Sequence, residues 1–293
     1  MNIDVNLLKE LRERTGAGIL DCKKALEAND SDLNKSVQWL REKGMAKAVK
    51  KATRNASEGT FNVLLNGNEA VLYEVNCETD FVAMNAKFQT LVDEIGEVLL
   101  STGVRTTEEA LNAKTIKGET LNELVLGLTA VVGEKITLRN VSSIIKTDSQ
   151  IFGVYRHNGG KIAVVSVIEG GDANMAKYVS MSICANNPQY QSEEDVDQAY
   201  LASEKEVLFK EAKEENPSKP DMIIEKMVEG RLHKELKEIC LVDQPYIMDQ
   251  NITVGTYLKD NHMQLISYVR KVVGEGVEKK QCDFAQEVME QMK

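Results

Sequence analysis

The chain reads as an α+β protein: a helical head, two related units of antiparallel strands and helices, and a helical hairpin inserted in the second unit. Three observations predict this. Residues 4–54 place their apolar side chains at helical spacing. From residue 57 the pattern changes to alternation around Asn66-Gly67, the strongest short-range hairpin signal. The same order of strand, turn, strand and helix then recurs after a shift of about 92 residues, which sets Asn66-Gly67 on Asn158-Gly159 and Asp80 on Asp172.

In order, Asp4 caps a first helix with Leu7, Leu8 and Leu11 inward, and Gly16 stops it. A second helix follows the Gly-Ala-Gly turn with Ile19, Cys22, Ala25 and Leu26 on one side. Asp30, Ser31 and Asp32 offer caps for a third, which turns Leu33, Val37 and Leu40 inward; Trp39 is expected in the head core. Lys47, Lys50, Lys51 and Arg54 form a cationic helical linker beyond Gly44, and head plus linker occupy 1–55. Three short helices bury little, so the head is marginal by itself.

The first core unit, 56–140, opens with strands around Phe61–Leu65 and 69–76, continues into a helix at about 82–101 and a looser helical stretch to Gly133, and reaches a strand within 135–146. The second, 141–281, repeats strand, turn (158–160), strand (161–168) and helix (172–186). It is interrupted at about 196–241 by two helical stripes, Val196, Tyr200 and Val207, then Ile224, Val228, Leu232, Leu236 and Ile239. Pro217-Ser-Lys-Pro220 makes the tip of that hairpin. The chain returns through Pro245–Met248 and a strand at Leu265–Val273, and ends in an amphipathic helix at about 282–292.

A net charge of −10 speaks against general nucleic-acid binding, which needs clustered cations. The charge is uneven: residues 1–56 hold 12 Lys+Arg against 8 Asp+Glu, leaving 24 against 38 for the rest. A mildly basic head on an acidic body suits docking onto a protein. Five scattered cysteines without a C-x-x-C, and three histidines none of which is close to a cysteine in sequence, give no zinc pattern and predict reduced thiols. With no secretion signal and no apolar run near the ~20 residues that span a bilayer, a cytoplasmic protein without membrane contact is expected.

Chemistry-bearing motifs are missing. There is no P-loop, dinucleotide fingerprint, G-x-S-x-G, H-E-x-x-H or EF-hand loop. A hairpin turn that brings His157 towards Cys77 would pair a thiol with a base, but nothing in the sequence supplies an oxyanion site or a third orienting group. The expectation is a protein that works by binding, without cofactor or metal.

The most informative segment is Glu74-Val-Asn-Cys-Glu-Thr-Asp-Phe-Val82. It begins as a half-buried strand and ends where Thr79 or Asp80 caps a following helix, placing Phe81 at the junction. An aromatic there is either a staple onto its own core or a wedge offered to another protein. In the repeat, Gly171-Asp172-Ala173 stands against Thr79-Asp80-Phe81, so only the first copy carries the ring.

Leu11-Arg-Glu-Arg-Thr-Gly-Ala-Gly-Ile-Leu-Asp-Cys-Lys-Lys-Ala-Leu26 resembles the N-terminal signature of the bacterial translation elongation factor Ts family, and Glu74–Val82 resembles its second signature. Further matches, such as Gly133-Glu-Lys-Ile-Thr-Leu-Arg139 and His157-Asn-Gly-Gly-Lys-Ile162, run through the chain in the expected order; Met84 departs from the basic or Asn residue the family favours there. The resemblance implies a guanine-nucleotide exchange factor for GDP-bound elongation factor Tu, without covalent catalysis and with a ubiquitin-associated-type head. It implies that Ile19, Leu20 and Lys23 touch the partner from the head. Thr79, Asp80, Phe81 and Val82 would act near the partner's Mg²⁺, with His157, Ile247 and Met248 as secondary contacts. It leaves a homodimer open. A competing class is an adaptor whose head binds another chain and whose core is a passive platform.

Overall fold

A computed structural model describes residues 4–277; the helix expected at 282–292, and Cys282, lie outside the described residues. The chain divides into two compact units, one built from the residues up to Ile145 with Asn158–Lys161 and the segment from Val272, the other from Lys146–His157 and Ile162–Lys271.

The first unit begins with α1 (Val5–Thr15), α2 (Ile19–Ala28) and α3 (Leu33–Val49). Asp4 caps α1 by accepting from the Asn6 N–H, and Gly16 ends it in the left-handed conformation that glycine adopts at little cost. Leu11, Cys22, Ala25 and Leu26 are buried at the centre, with Leu7, Leu8, Val37, Trp39 and Leu40 packed around them. Ile19 departs from the expected inward side: it opens α2 at the rim of this small core and is half exposed. The third helix also runs on through Gly44, where α3 crosses α7 so closely that a Cβ on Gly44 would meet the Ala130 methyl at 2.9 Å.

β1 (Glu58–Asn66) and β2 (Glu69–Cys77) form the expected hairpin, followed by α4 (Asp80–Ala83), α5 (Ala86–Thr102), α6 (Thr107–Asn112), α7 (Leu121–Val132) and β3 (Thr137–Ile145). The sheet order is β1-β2-β3, antiparallel throughout. Phe88, Leu91, Val92, Ile95 and Leu99 of α5 pack on Val71, Tyr73 and Val75 of β2. Tyr73 is fully buried, and its hydroxyl donates to Val92 O (2.7 Å) while accepting from Asn62 Nδ2 (2.8 Å). Gly96 makes room for it, since a Cβ there would lie 2.5 Å from the Tyr73 hydroxyl. The helix expected at 82–101 is two helices: Asn85 accepts from the Lys87 N–H and restarts the chain, an N-cap preference that outweighs continuation.

Glu74 is a fully buried acid, and its partners account for it: Asn76 Nδ2 (2.7 Å), Asn140 Nδ2 (2.6 Å) and the Gly274 N–H (2.7 Å) all donate to its carboxylate. The segment from Val272 is thereby tied to the sheet. Lys161 adds an ion pair to Glu58.

The second unit contains β4 (Gln150–His157), β5 (Ile162–Glu169), α8 (Ala173–Asn186), α9 (Gln198–Glu215), α10 (Asp221–Ile239), β6 (Pro245–Tyr246), β7 (Asp249–Thr253), α11 (Val254–Asp260) and β8 (Gln264–Val272). The order β4-β5-β8 repeats that of the first sheet, with the third strand beside the second. In α9 and α10 the second stripe packs as expected at Ile224, Val228, Leu232 and Leu236. The first holds only at Val196, which is buried: Tyr200 and Val207 are exposed, and Leu208 and Ala212 face inward. Neighbouring apolar residues 207 and 208 satisfy either stripe, and packing against α10 chooses the second.

The uniform shift of 92 residues also needs correction. The loop between β1 and β2 holds two residues, and that between β4 and β5 holds four. Asn66 therefore matches His157, an offset of 91, while Glu69 matches Ile162, an offset of 93. Beyond the turn the caps obey the larger offset, so Thr79, not Asp80, matches Asp172.

Candidate functional site

The strand β2 delivers the chain to Cys77, and Thr79 then caps α4, its hydroxyl accepting from the Val82 N–H. The first residues of a helix point outward unless something covers them. Here Val82 is half-buried and Ala83 buried, whereas Asp80 is exposed and Phe81 is 78% exposed. The ring is not a staple. Met84, one turn further, is 71% exposed and extends the same apolar projection. Phe81 and Met84 stand three residues apart, so they form a small exposed apolar group and not a lone side chain.

The anchor of this projection comes from another segment. Glu134, just past α7, accepts from the Thr79 N–H at 3.0 Å and from the Thr79 hydroxyl at 2.7 Å. Its neighbour Lys135 donates its backbone N–H to Glu78 (2.6 Å), and Arg54 pairs with Glu78 at 3.3 Å. Lys51 donates to Gly133 O, and the Lys135 ammonium donates to Arg54 O (2.9 Å). Residues 133–135 thus hold both the linker from the head and the start of α4. In the sequence Gly133 marks a helix end and Gly133–Arg139 a matching motif, with no sign of what Glu134 holds. Nothing in a linear string pairs Glu134 with Thr79 across 55 residues.

In the head, Ile19 (50%) and Leu20 (73%) are exposed at the start of α2, and Lys23 is exposed one turn later. They flank the buried Cys22, Ala25 and Leu26, so the start of α2 offers two apolar groups and a cation outward. The other expected contacts belong to the second unit. His157 is exposed at the end of β4, with Nδ1 3.1 Å from the Tyr155 hydroxyl. Ile247 and Met248 form the two-residue turn between β6 and β7. Ile247 packs on the second core and donates its N–H to Ser182 Oγ (3.1 Å), while Met248 is 57% exposed at the tip.

Thiol chemistry finds no support. Cys77 is fully buried, its Sγ lies 3.1 Å from Thr79 O, and burial, reinforced by the Glu134 charge, pushes its pKa up to about 12. Burial also pushes Cys22 and Cys184 up, and Cys240 to about 11. The four described cysteines are free and buried. Among the described residues no cluster of His, Cys, Asp and Glu is arranged for a metal ion, and no helix is long and apolar enough to cross a membrane.

The first unit therefore exposes apolar groups at the start of α2 and on the braced turn at Thr79–Met84, and the second exposes Met248 at its own turn. The family model described as "Elongation factor TS" matches residues 78–275, and that described as "Elongation factor Ts, mitochondrial, N-terminal" matches residues 1–48. Elongation factor Ts of Acholeplasma laidlawii (strain PG-8A) is 48% identical, covering 100% of this chain and 99% of its own. With both signatures, the α+β architecture and a full-length relative in agreement, the chain belongs to the elongation factor Ts family of translation elongation factors.

Proposed function

We propose that this chain is a guanine-nucleotide exchange factor that binds GDP-bound elongation factor Tu and promotes release of the nucleotide without making or breaking a covalent bond. The observation that carries the reading is the exposed Phe81 on a capped and externally braced turn. Mg²⁺ holds near-ideal octahedral geometry at about 2.0–2.1 Å, so a small displacement of its ligands or waters weakens it sharply. An aromatic ring pressed between partner elements near that ion loosens GDP without touching it.

The energetics require more than the ring. A thousandfold loss of nucleotide affinity needs about 4 kcal/mol. Complete burial of one Phe gives roughly 1.5–3 kcal/mol. Ile19 and Leu20 on the head, with Lys23 beside them, supply apolar area and charge towards the remainder. His157, Ile247 and Met248 add a further surface from the second unit, and Asp80 joins Phe81 in the wedge that Thr79 and Val82 frame. By linkage, nucleotide must weaken the factor's own grip by the same ratio, so fresh nucleotide expels it.

Release of fluorescent GDP from elongation factor Tu, followed by stopped flow at saturating factor, tests this. Phe81→Ala is expected to slow release by about ten- to a hundredfold, the range that Phe burial corresponds to, with an unchanged melting midpoint because the ring makes no core contact. An unchanged release rate rejects the reading.

A further inference from the structure

We propose that Glu134 is a positioning residue for exchange: its carboxylate fixes the angle at which α4 presents Phe81. This rests on the exchange reading above and deepens it. A four-residue helix has too few internal hydrogen bonds to set its own direction. Its orientation is decided by what holds its ends. At the far end Ala83 is buried in the core. At the near end Thr79 has two hydrogens to give, one on the backbone nitrogen and one on the hydroxyl, and Glu134 takes both, at 3.0 and 2.7 Å. Committing the hydroxyl hydrogen to Glu134 leaves the oxygen lone pairs for the Val82 N–H, so the cap is held in its accepting orientation.

Glu134 is itself held on both sides. Gly133 ends α7 in the left-handed conformation and its carbonyl accepts from Lys51, while the Lys135 N–H is fixed to Glu78 at 2.6 Å. Glu134 therefore transmits the placement of a fixed loop to the ring two residues beyond Thr79. Among the described residues the second unit shows no such brace at its cap: Asp172 caps α8 with its own carboxylate, accepting from the Asn174 and Met175 N–H groups at 2.8 and 2.9 Å. A capping Asp in place of Thr79 would have sufficed to start a helix. A neutral cap locked by a carboxylate 55 residues away instead fixes direction.

The test is a double-mutant cycle on the full chain, read as release of labelled GDP from the partner GTPase of the proposed function. Glu134→Ala is expected to slow release at saturating factor by about tenfold, in line with the cost of small misplacements, with the half-saturating concentration within about twofold. Glu134→Gln, which keeps one oxygen to accept from the Thr79 N–H, should fall between Ala and the unchanged chain. In a Phe81→Ala background, Glu134→Ala should add less than about twofold, because residues acting as one unit are non-additive. Independent losses that multiply, a Glu134→Ala rate equal to the unchanged chain, or a loss confined to half-saturation would each overturn the role of Glu134. A normal rate for Phe81→Ala overturns the exchange reading itself, which separates the two failures.

Discussion

The turn at Thr79–Ala83 and the turn at Asp172–Ala176 are the same piece of architecture with different consequences. Each follows the second strand of a hairpin, each begins with a capping side chain, and each sends two residues into solvent before a half-buried one and a buried alanine. With the caps matched, Phe81 corresponds to Asn174 and Met84 to Lys177. One copy dresses its exposed positions in polar groups and continues for fourteen residues as α8; the other exposes a ring and a thioether and stops after four. The fold requires only the cap and the buried alanine. The ring answers no demand of packing, which is why it is read as a contact offered outward.

Exchanging the residues at this position gives the largest expected effect. Phe81→Asn should slow GDP release by about tenfold or more at an unchanged melting midpoint. Asn174→Phe should leave release within about twofold, since the second turn lacks the Glu134 brace. Equal rates for the Phe81→Asn chain and the unchanged chain would erase the distinction between the two turns.

The two cores also solve one packing problem in opposite ways. In the first, the helix supplies the glycine: Gly96 of α5 admits the ring of Tyr73, and a Cβ there meets side-chain atoms of Leu64 and Tyr73 at 2.4 and 2.5 Å. In the second, the strand supplies it: Gly153 of β4 lets the backbone of α8 approach, and a Cβ there meets Ala176 O at 2.3 Å. Ser166 and Ser180 bond to each other beneath the same contact (2.8 Å). Side chains yield more readily than helix backbone. Gly153→Ala should therefore cost about 2–3 kcal/mol of unfolding free energy, and Gly96→Ala about 1–2 kcal/mol, measured by urea denaturation; the reverse order would show that Tyr73 has no freedom to move.

A smaller difference concerns pH. In the first unit Arg105 grips Glu69, with Nη2 to Oε2 at 2.7 Å, and the Arg105 hydrogen bonds hold the Glu69 carboxyl below its ordinary value of 4.5. In the second unit Arg270 reaches a backbone carbonyl, Cys184 O, at 3.4 Å. A lowered acid pKa contributes stability that is present above 4.5 and lost as pH falls through the folded value. Arg105→Ala should thus cost about 1–2 kcal/mol near neutrality, the difference from the unchanged chain shrinking below pH 4.5. Arg270→Ala should show no such narrowing. Parallel denaturation curves at neutral and acid pH provide the check.

Both hairpins, the cap at Asp4, the helix stops at Gly16 and Gly133, and the α10 stripe were legible because each is written in residues a few positions apart, whereas the cap before Phe81 stayed open between Thr79 and Asp80. The expected contacts Ile19 and Phe81 came from a resemblance and from an odd residue in a repeat. Local pattern gave Phe81 two readings, and only the surrounding packing separates a staple from a projection. The breaks at Asn85 and in the α9 stripe were missed because two local preferences were nearly equal there. Glu74 and Glu134 lay beyond reach for a different reason: a carboxylate in a string carries no mark of the donors it will meet.

Periodicity, caps and turn residues, being short-range, determined the α+β class and the order of elements in this chain. Which acid is buried and satisfied, which segment braces which helix, and which ring stays in water depend on groups brought together from 55 to 200 positions apart. Only the folded chain makes those meetings, because a hydrogen bond is set by distance in space and not by separation along the backbone.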